Sequence, residues 1–207
     1  MSDNRPVGAL AWLPTPPADF SRRVRALLDS PTGLGHQLRA LATFDLDENQ
    51  LNKLASLLAK ARKSGHNLSP LLRVRLGVLS NSTLDFILPV LVATALRHGI
   101  ALECVVAGYG QIMQEALSPS STINTAKLDL VLLANDYRDF SWSCRHGDKA
   151  AAEDCVTAVM TQLAAIRNGL HANGLPVLYC SKHCRTRRGP IRKSGPIITR
   201  SAARPHW

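Results

Sequence analysis

Three short polar segments of the sequence carry residue types that could form a reactive or ligand-binding site. Residues 79–83 supply hydroxyl and amide groups, and Ser82 among them is a candidate nucleophile or anion contact. Residues 107–110 contain Gly108, which lets a ligand approach the backbone closely. Residues 133–138 contain Asn135, whose amide can donate to a developing oxyanion. These types together predict anion or ester chemistry.

Each segment also has a plainer interpretation. Ser82 or Thr83 can cap the helix that follows, a role that suits such residues. Gly108 can simply form a turn, and Asn135 with Asp136 can be ordinary turn residues. Three such segments at the ends of parallel strands indicate a ligand site more specifically than any one of them, because ligands bind at that edge of an α/β sheet.

Alternating strand and helix patterns position these segments. The four predicted strands cover residues 74–79, 100–107, 128–134 and 176–179. The helices between them cover residues 84–98, 111–117 and 149–172, with a polar loop at residues 118–126. The third strand is almost wholly apolar, as expected when both faces of a sheet are covered. The pattern predicts an α/β fold with a three-layer parallel sheet.

A helical N-terminal arm is predicted to precede the sheet. Prolines crowd residues 1–20, where Trp12 is expected to anchor an extended segment onto the body. Three helices follow, and the third has the clearest apolar stripe. Asp45, followed by Glu48, is interpreted as its N-cap with a capping-box partner. The predicted units are a helical arm, an α/β domain and a basic disordered tail, at residues 1–69, 70–178 and 179–207.

The positive charge lies at the C-terminal end of the chain. The net charge is +10, and residues 179–207 hold eight Lys and Arg and no acidic residue. Residues 1–178 are left with 17 basic and 15 acidic side chains, a net charge of +2. Either a disordered tail or a shifted reading frame explains this change, and the second leaves the α/β domain incomplete at its C-terminus. Nucleic-acid binding by the tail is the least favoured function.

The composition excludes several classes of protein. With 207 residues, 45% of them hydrophobic, the chain can bury one real core. Its longest uncharged apolar stretch, residues 86–96, is about half a membrane span, and no export signal is evident. An odd number of cysteines, five, predicts reduced thiols and a cytoplasmic location. Residues 180–184 hold two cysteines and a histidine at a spacing that fits no zinc knuckle, so no metal or cofactor is predicted.

The strand order and edge residues resemble the SGNH hydrolase superfamily, whose first block reads GDS and whose third reads GxND. Ser80, Asn81 and Ser82 stand where GDS would be, and residues 133–136 stand for GxND with a leucine in place of the glycine. Gly108 matches the glycine of the second block. The resemblance implies a flavodoxin-like sheet, with Ser82 as nucleophile or vestigial anchor and Gly108 N–H and Asn135 as oxyanion donors.

Residues 10–178 resemble the N-terminal region of FkbH-like proteins. The matching patches are residues 12–14, 19–20, 46–51, 79–84 and 119–121. In that family an SGNH-like domain precedes a haloacid-dehalogenase (HAD) domain of subfamily IIIC, and some members load a glyceryl unit from a phosphorylated donor onto an acyl carrier protein. The resemblance implies that this chain binds or acts on an acyl or glyceryl ester in a secondary-metabolite or polysaccharide pathway. Its implied partners are an acyl carrier protein and a HAD-type phosphatase-like domain that these residues lack.

The histidine base of the SGNH mechanism has no evident counterpart. That base follows the last strand in a DxxH motif and accepts the proton of the serine, but no DxxH occurs here. His183 falls in the basic tail, whereas His98 and His171 fall near helix C-termini, where the helix dipole favours them. Besides nucleic-acid binding by the tail, two functions remain open, an SGNH-type ester hydrolase or transferase and a non-catalytic docking module for a carrier protein or a HAD-type partner.

Overall fold

The fold is a parallel sheet with helices on both faces, and it is seen in a computed structural model that describes residues 12–27, 29, 32–135, 140, 144, 145 and 147–179. Its helices are α1 (Phe20–Ala26), α2 (Leu34–Leu41), α3 (Glu48–Lys63), α4 (Ile87–Arg97), α5 (Ile112–Leu117), α6 (Thr122–Thr125) and α7 (Lys149–Ala172). Its strands are β1 (Leu72–Ser80), β2 (Ile100–Val106), β3 (Leu130–Ala134) and β4 (Val177–Tyr179). The strands pair in parallel in the order β2-β1-β3-β4. The predicted α/β fold is confirmed, with β1 between β2 and β3.

Side chains that alternate along β1 separate two layers of core. Val78 is fully buried and packs with Leu91 of α4 on one face of the sheet. Leu79 is fully buried on the other face, where it packs with Ile112 of α5 and Ile166 of α7. Burial on both faces explains why β3 and residues 76–79 of β1 are wholly apolar.

The three N-terminal helices pack against α4 around a core of their own. Phe20, Leu38 and Leu58 are buried in this cluster together with Leu96 of α4. Gly35 lies against the chain that leads into β1, because a Cβ at Gly35 would overlap backbone carbonyl atoms. Only glycine permits so close an approach of α2.

The segment before α1 lies on the body, as the sequence predicts. The ring of Trp12 is 5.7 Å from the Arg97 guanidinium, a cation–π contact. The Pro14 carbonyl accepts a hydrogen bond from the Asp45 N–H at 2.9 Å. Trp12 nevertheless remains 70% exposed. The backbone hydrogen bond and the ring contact therefore hold this segment more than burial does.

The predicted cap of α3 is wrong by two residues. Asp47 is the N-cap, and its carboxylate accepts the Gln50 N–H at 2.8 Å. The Gln50 side-chain oxygen accepts the Asp47 N–H at 2.9 Å, which completes a capping box. Asp45 and Glu48 have the same spacing as this pair. The Asp45 N–H is held by Pro14 instead, so the helix begins later.

The predicted polar loop between α5 and β3 contains the short helix α6. Its N-cap is Ser121, whose hydroxyl accepts the Asn124 N–H at 3.2 Å. The predicted strand at residues 128–134 begins later, at Leu130. Helix α7 has the predicted bounds and is capped by the Asp148 carboxylate, which accepts the Ala151 N–H at 3.0 Å.

Several predictions concern residues outside the described ranges. They include the disordered tail and incomplete end beyond Tyr179, the cysteine and histidine segment at residues 180–184, Asp136 and His183. In the parts of the chain that are described, no helix combines the length and the apolar character needed to cross a bilayer.

Candidate functional site at the carboxyl edge of the sheet

The register of the strands brings the three predicted segments to one edge. Val78 of β1 lies opposite Val106 of β2, and Ser80 lies opposite Ala134 of β3. When neighbouring parallel strands end at the same height, the residues that follow them lie at the same edge of the sheet. Ser82 lies two residues after the end of β1, Gly108 lies two residues after the end of β2, and Asn135 directly follows β3. All three predicted site residues therefore lie at this carboxyl edge.

Ser80 joins the loop after β1 to the end of β3. Its side chain is buried, and its hydroxyl donates to the Ala134 carbonyl at 3.0 Å. The same oxygen accepts the Ser82 N–H at 3.0 Å. A glycine at this position, as in the GDS block, could make neither bond. No role for Ser80 is predicted from the sequence. A serine at the end of a buried apolar strand does, however, indicate a buried hydroxyl that needs a hydrogen-bond partner.

Ser82 is not a helix cap. Helix α4 begins at Ile87, five residues further on, and its N-cap Phe86 makes no side-chain capping bond. The capping interpretation of Ser82 and Thr83 is therefore wrong. The Ser82 N–H is fixed by Ser80, while its hydroxyl has no hydrogen bond to any described residue. That hydroxyl is available to a ligand.

Two amide side chains at this edge keep buried oxygens without partners. The Oδ1 atoms of Asn81 and Asn135 are buried and accept no hydrogen bond from the described residues. Each such atom costs about 1–3 kcal/mol relative to a hydrogen-bonded one. Asn81 follows Ser80 and Asn135 follows Ala134, so both asparagines come directly after the Ser80–Ala134 pair that ends β1 and β3. A donor could reach either oxygen only if the side chains that cover it move, since neither atom is exposed to solvent.

Gly108 provides a backbone donor at the same edge. Its carbonyl accepts the Gln111 N–H at 3.2 Å, which forms a turn. A Cβ at Gly108 would lie 2.5 Å from the Gln111 Oε1, so glycine makes room for that side chain. The Gly108 N–H itself has no partner within the described ranges. The turn interpretation and the donor interpretation are therefore compatible.

The described histidines lie away from this edge. His98 is the C-cap of α4 and His171 is in the last turn of α7, as predicted. Both helices run back to the start of the next strand, so their C-termini lie at the amino edge of the sheet. His66 precedes β1 and His36 is in α2. No described histidine is positioned to accept the Ser82 proton.

Cys104 of β2 is not a second nucleophile. Burial raises the pKa of its thiol to about 11, and the nearby Arg62 guanidinium offsets only part of that rise. The thiol therefore stays protonated at neutral pH, and a protonated thiol is a poor nucleophile. No group of three or more His, Cys, Asp or Glu that could hold a metal ion occurs among the residues that the structure describes.

Two cavities lie elsewhere in the molecule. The larger has a volume of about 990 Å³ and follows β2 between α3 and α4. The second lies between α1 and α3. Neither is lined by Ser82, Gly108 or Asn135. The carboxyl edge therefore presents polar groups outside both of these cavities.

Comparison with known proteins finds one distant likeness of fold. No family model and no curated protein matches the chain. Among solved structures, the N-terminal part of the protein BF1531 from Bacteroides fragilis, which contains a phosphatase domain and is complexed with Mg, is similar with 12% identity and a TM-score of 0.46. The match covers 60% of this chain and 32% of that one, so this chain spans about a third of its length. This likeness assigns no substrate or activity.

Proposed function

We propose that this chain binds an acyl or glyceryl ester at the carboxyl edge of its sheet, as an SGNH-like domain of the FkbH type. The observation that carries the proposal is that the Ser82 hydroxyl and the Gly108 N–H, neither bonded to a described residue, lie at one edge of the sheet with Asn135. An amide oxygen accepts hydrogen bonds, and the hydroxyl groups of a glyceryl unit donate them. Once the side chains that cover the Asn81 and Asn135 oxygens move, a bound glyceryl ester supplies donors that the described residues lack.

The other groups at this edge suit the ester part of the ligand. The free N–H of Gly108 can donate to the ester carbonyl, and the Ser82 hydroxyl can donate or accept. In this binding role the Asn135 amide serves the ligand through its oxygen, and donation to an oxyanion would require a half-turn that presents its NH₂ group instead. We assign Ser82 the role of anchor, because a serine nucleophile needs a base that no described histidine provides.

Ester turnover separates an anchor from a nucleophile. The substrate is p-nitrophenyl acetate, and the proteins are the wild type, Ser82→Ala and the control Ser120→Ala on an exposed turn. The anchor role predicts no turnover above background in any of the three. Turnover that is lost in Ser82→Ala and kept in Ser120→Ala would overturn that role and make Ser82 the nucleophile.

Calorimetry with glyceryl acetate tests binding itself. The double variant Asn81→Ala with Asn135→Ala is expected to bind at least about tenfold more weakly than the wild type, since two hydrogen bonds to buried acceptors are lost. Asn173→Ala, an exposed asparagine at the end of α7, is the control and should bind normally. Equal affinity of the double variant and the wild type would contradict the proposal.

A docking role is the second candidate, and the absence of a described histidine at this edge favours it. In this form an acyl carrier protein presents the ester, and a separate HAD-type phosphatase-like protein supplies the chemistry. Association with a carrier protein should then be insensitive to Ser82→Ala. The absence of association at tens of micromolar would count against this role.

A further inference from the structure

The outer edge of β2 is open. β2 is the last strand of the described sheet and pairs only with β1. The Ala107 N–H donates to the Val78 carbonyl at 3.0 Å, and the Gly99 carbonyl accepts the Leu72 N–H at 2.8 Å, so odd-numbered residues direct their backbone groups toward β1. The register is unbroken between them. Backbone groups of the even-numbered residues of β2 therefore point outward.

Only part of this open edge is covered. The Leu102 carbonyl accepts a hydrogen bond from Arg62 of α3 at 3.4 Å. The outward N–H and C=O groups of Cys104 and Val106 have no hydrogen-bond partner among the described residues. An edge strand with open backbone groups is a template for another strand, and proteins normally protect such edges.

The larger cavity follows this open edge. Its volume is about 990 Å³, and the β2 residues that line it include Leu102, Cys104 and Val106. Leu88 and Val92 of α4 line one side with apolar side chains. Ala55 and Ala59 of α3 line the other side, where their small side chains fill little of the space. A further strand would lie about 4.8 Å from β2, so the cavity stands where that strand would be.

The lining of the cavity carries excess positive charge. Glu103 pairs with both Arg62 and Arg75. Arg73 and Lys63 form no ion pair with any described residue. Burial lowers the pKa of Arg62, and repulsion from Arg75 and Arg73 lowers it further. The charged lining residues are four basic and two acidic, namely Arg62, Lys63, Arg73, Arg75, Asp85 and Glu103.

We propose that this groove binds an extended acidic peptide segment of a partner protein, which adds to the sheet beside β2. The peptide backbone pairs with Cys104 and Val106, its apolar side chains pack on Leu88 and Val92, and an acidic side chain lies near Arg73. This site is separate from the carboxyl edge and goes beyond the ester-binding function.

An acidic peptide fits the groove better than two other occupants. A small anion would neutralise the basic residues but would leave the backbone groups of β2 unpaired. A second copy of this chain brings no net negative charge to the groove, since residues 1–178 have a net charge of +2 and residues 179–207 add eight basic residues. A peptide alone supplies both a backbone ladder and a complementary charge.

The test uses synthetic peptides and the full chain. The probe is a labelled seven-residue peptide in which valine alternates with glutamate. One control peptide has lysine in place of glutamate, and another has an N-methylated backbone that cannot pair. Anisotropy should show binding of the glutamate peptide at least about tenfold tighter than of either control, because both charge and backbone pairing contribute. Amide exchange of Cys104 and Val106 should slow on binding.

Substitutions at exposed positions test whether the peptide binds in the groove. Arg73→Glu should reverse the preference between the glutamate and lysine peptides, and Ala59→Trp should abolish binding by filling the groove. The control Arg167→Glu, exposed on α7, should behave as the wild type. Circular dichroism verifies that each variant is folded.

Four results would overturn the proposal. The first is no binding of the glutamate peptide at millimolar concentration, and the second is equal binding of the N-methylated peptide. The third is displacement of the peptide by inorganic phosphate or glutarate while the amides of Cys104 and Val106 stay protected, which would indicate a small-anion site. Self-association of the chain that is lost in Arg73→Glu would indicate a second copy as the occupant.

Discussion

Two polar clusters on the same sheet differ in how completely their hydrogen bonds are made. One lies between α5 and α6, where the buried Glu115 accepts the Ile123 N–H at 3.0 Å through its side chain. The Glu115 carbonyl accepts bonds from Ser121 at 2.7 Å and from the Asn124 amide at 3.0 Å. The same amide also donates to Ser118 at 2.8 Å, although its oxygen has no partner.

The second cluster is the carboxyl edge, and its amides are incomplete. Asn81 and Asn135 each bury an oxygen that no described residue satisfies, while Ser80 alone is well bonded. The first network, in which only the Asn124 oxygen lacks a partner, holds a loop in place, and its residues are needed for stability. The second network has two such oxygens and fewer bonds, so its asparagines contribute less to stability. Substitutions should therefore affect folding in the first cluster and binding in the second.

The largest expected effect is that of Glu115→Ala. The side chain is 7% exposed, and its loss leaves the Ile123 N–H unpaired and a cavity beneath α6. The free energy of unfolding in urea should fall by about 3 kcal/mol. Glu115→Gln keeps an acceptor and should cost about 1 kcal/mol. A change below about 0.5 kcal/mol in the alanine variant would show that this network is not structural.

Asn124→Ala should have the next largest effect. Its NH₂ group bonds the carbonyls of Glu115 and Ser118, and both would lose a donor. Urea denaturation should show a loss of about 2 kcal/mol. The neighbouring exposed Thr122 provides a control, since Thr122→Ala should change stability little. Equal effects of the two substitutions would argue against the role of the Asn124 amide.

Ser80→Ala should cost less, about 1.5 kcal/mol, since the Ala134 carbonyl and the Ser82 N–H lose one shared partner. Ser80→Gly should cost about 1 kcal/mol more, because glycine in a strand loses additional backbone entropy on folding. Thermal and urea unfolding of both variants measure these losses. A glycine variant as stable as the wild type would mean that the hydroxyl does not fix the loop.

The smallest effect on folding is expected for the two edge asparagines. Asn81→Ala and Asn135→Ala remove oxygens that have no described partner, so stability should change by no more than about 0.5 kcal/mol or should rise. Either substitution should weaken glyceryl acetate binding severalfold, as measured by calorimetry. A loss of stability as large as that of Asn124→Ala would remove the difference between the two clusters.

The sequence predicts the elements of this fold better than their side-chain contacts. Helix α7 has its predicted bounds because its apolar period is long and Asn173 with Gly174 marks its end, where Gly174 has a φ of 74°. Strand ends follow from apolar runs and place Ser82, Gly108 and Asn135 at one edge. Parallel pairing alone is sufficient for that placement.

The features that could not be predicted from the sequence are those that depend on tertiary contacts. The α3 cap was ambiguous because Asp45 and Asp47 share one spacing, and the Pro14 carbonyl decides between them. The Arg62–Glu103 pair joins α3 to β2 across 41 residues, and no local pattern indicates it. The unpartnered state of the Asn135 oxygen is likewise visible only when its surroundings are assembled.

A side-chain amide titration by NMR tests the central claim most directly. Glyceryl acetate is added to ¹⁵N-labelled protein, and the NH₂ signals of Asn81, Asn135 and Asn124 are followed with the backbone amides of Ser82 and Gly108. The ester-binding account predicts saturable shifts at Asn81, Asn135, Ser82 and Gly108, with Asn124 unchanged. Saturation without any shift at the two edge asparagines, or shifts confined to the groove beside β2, would contradict it.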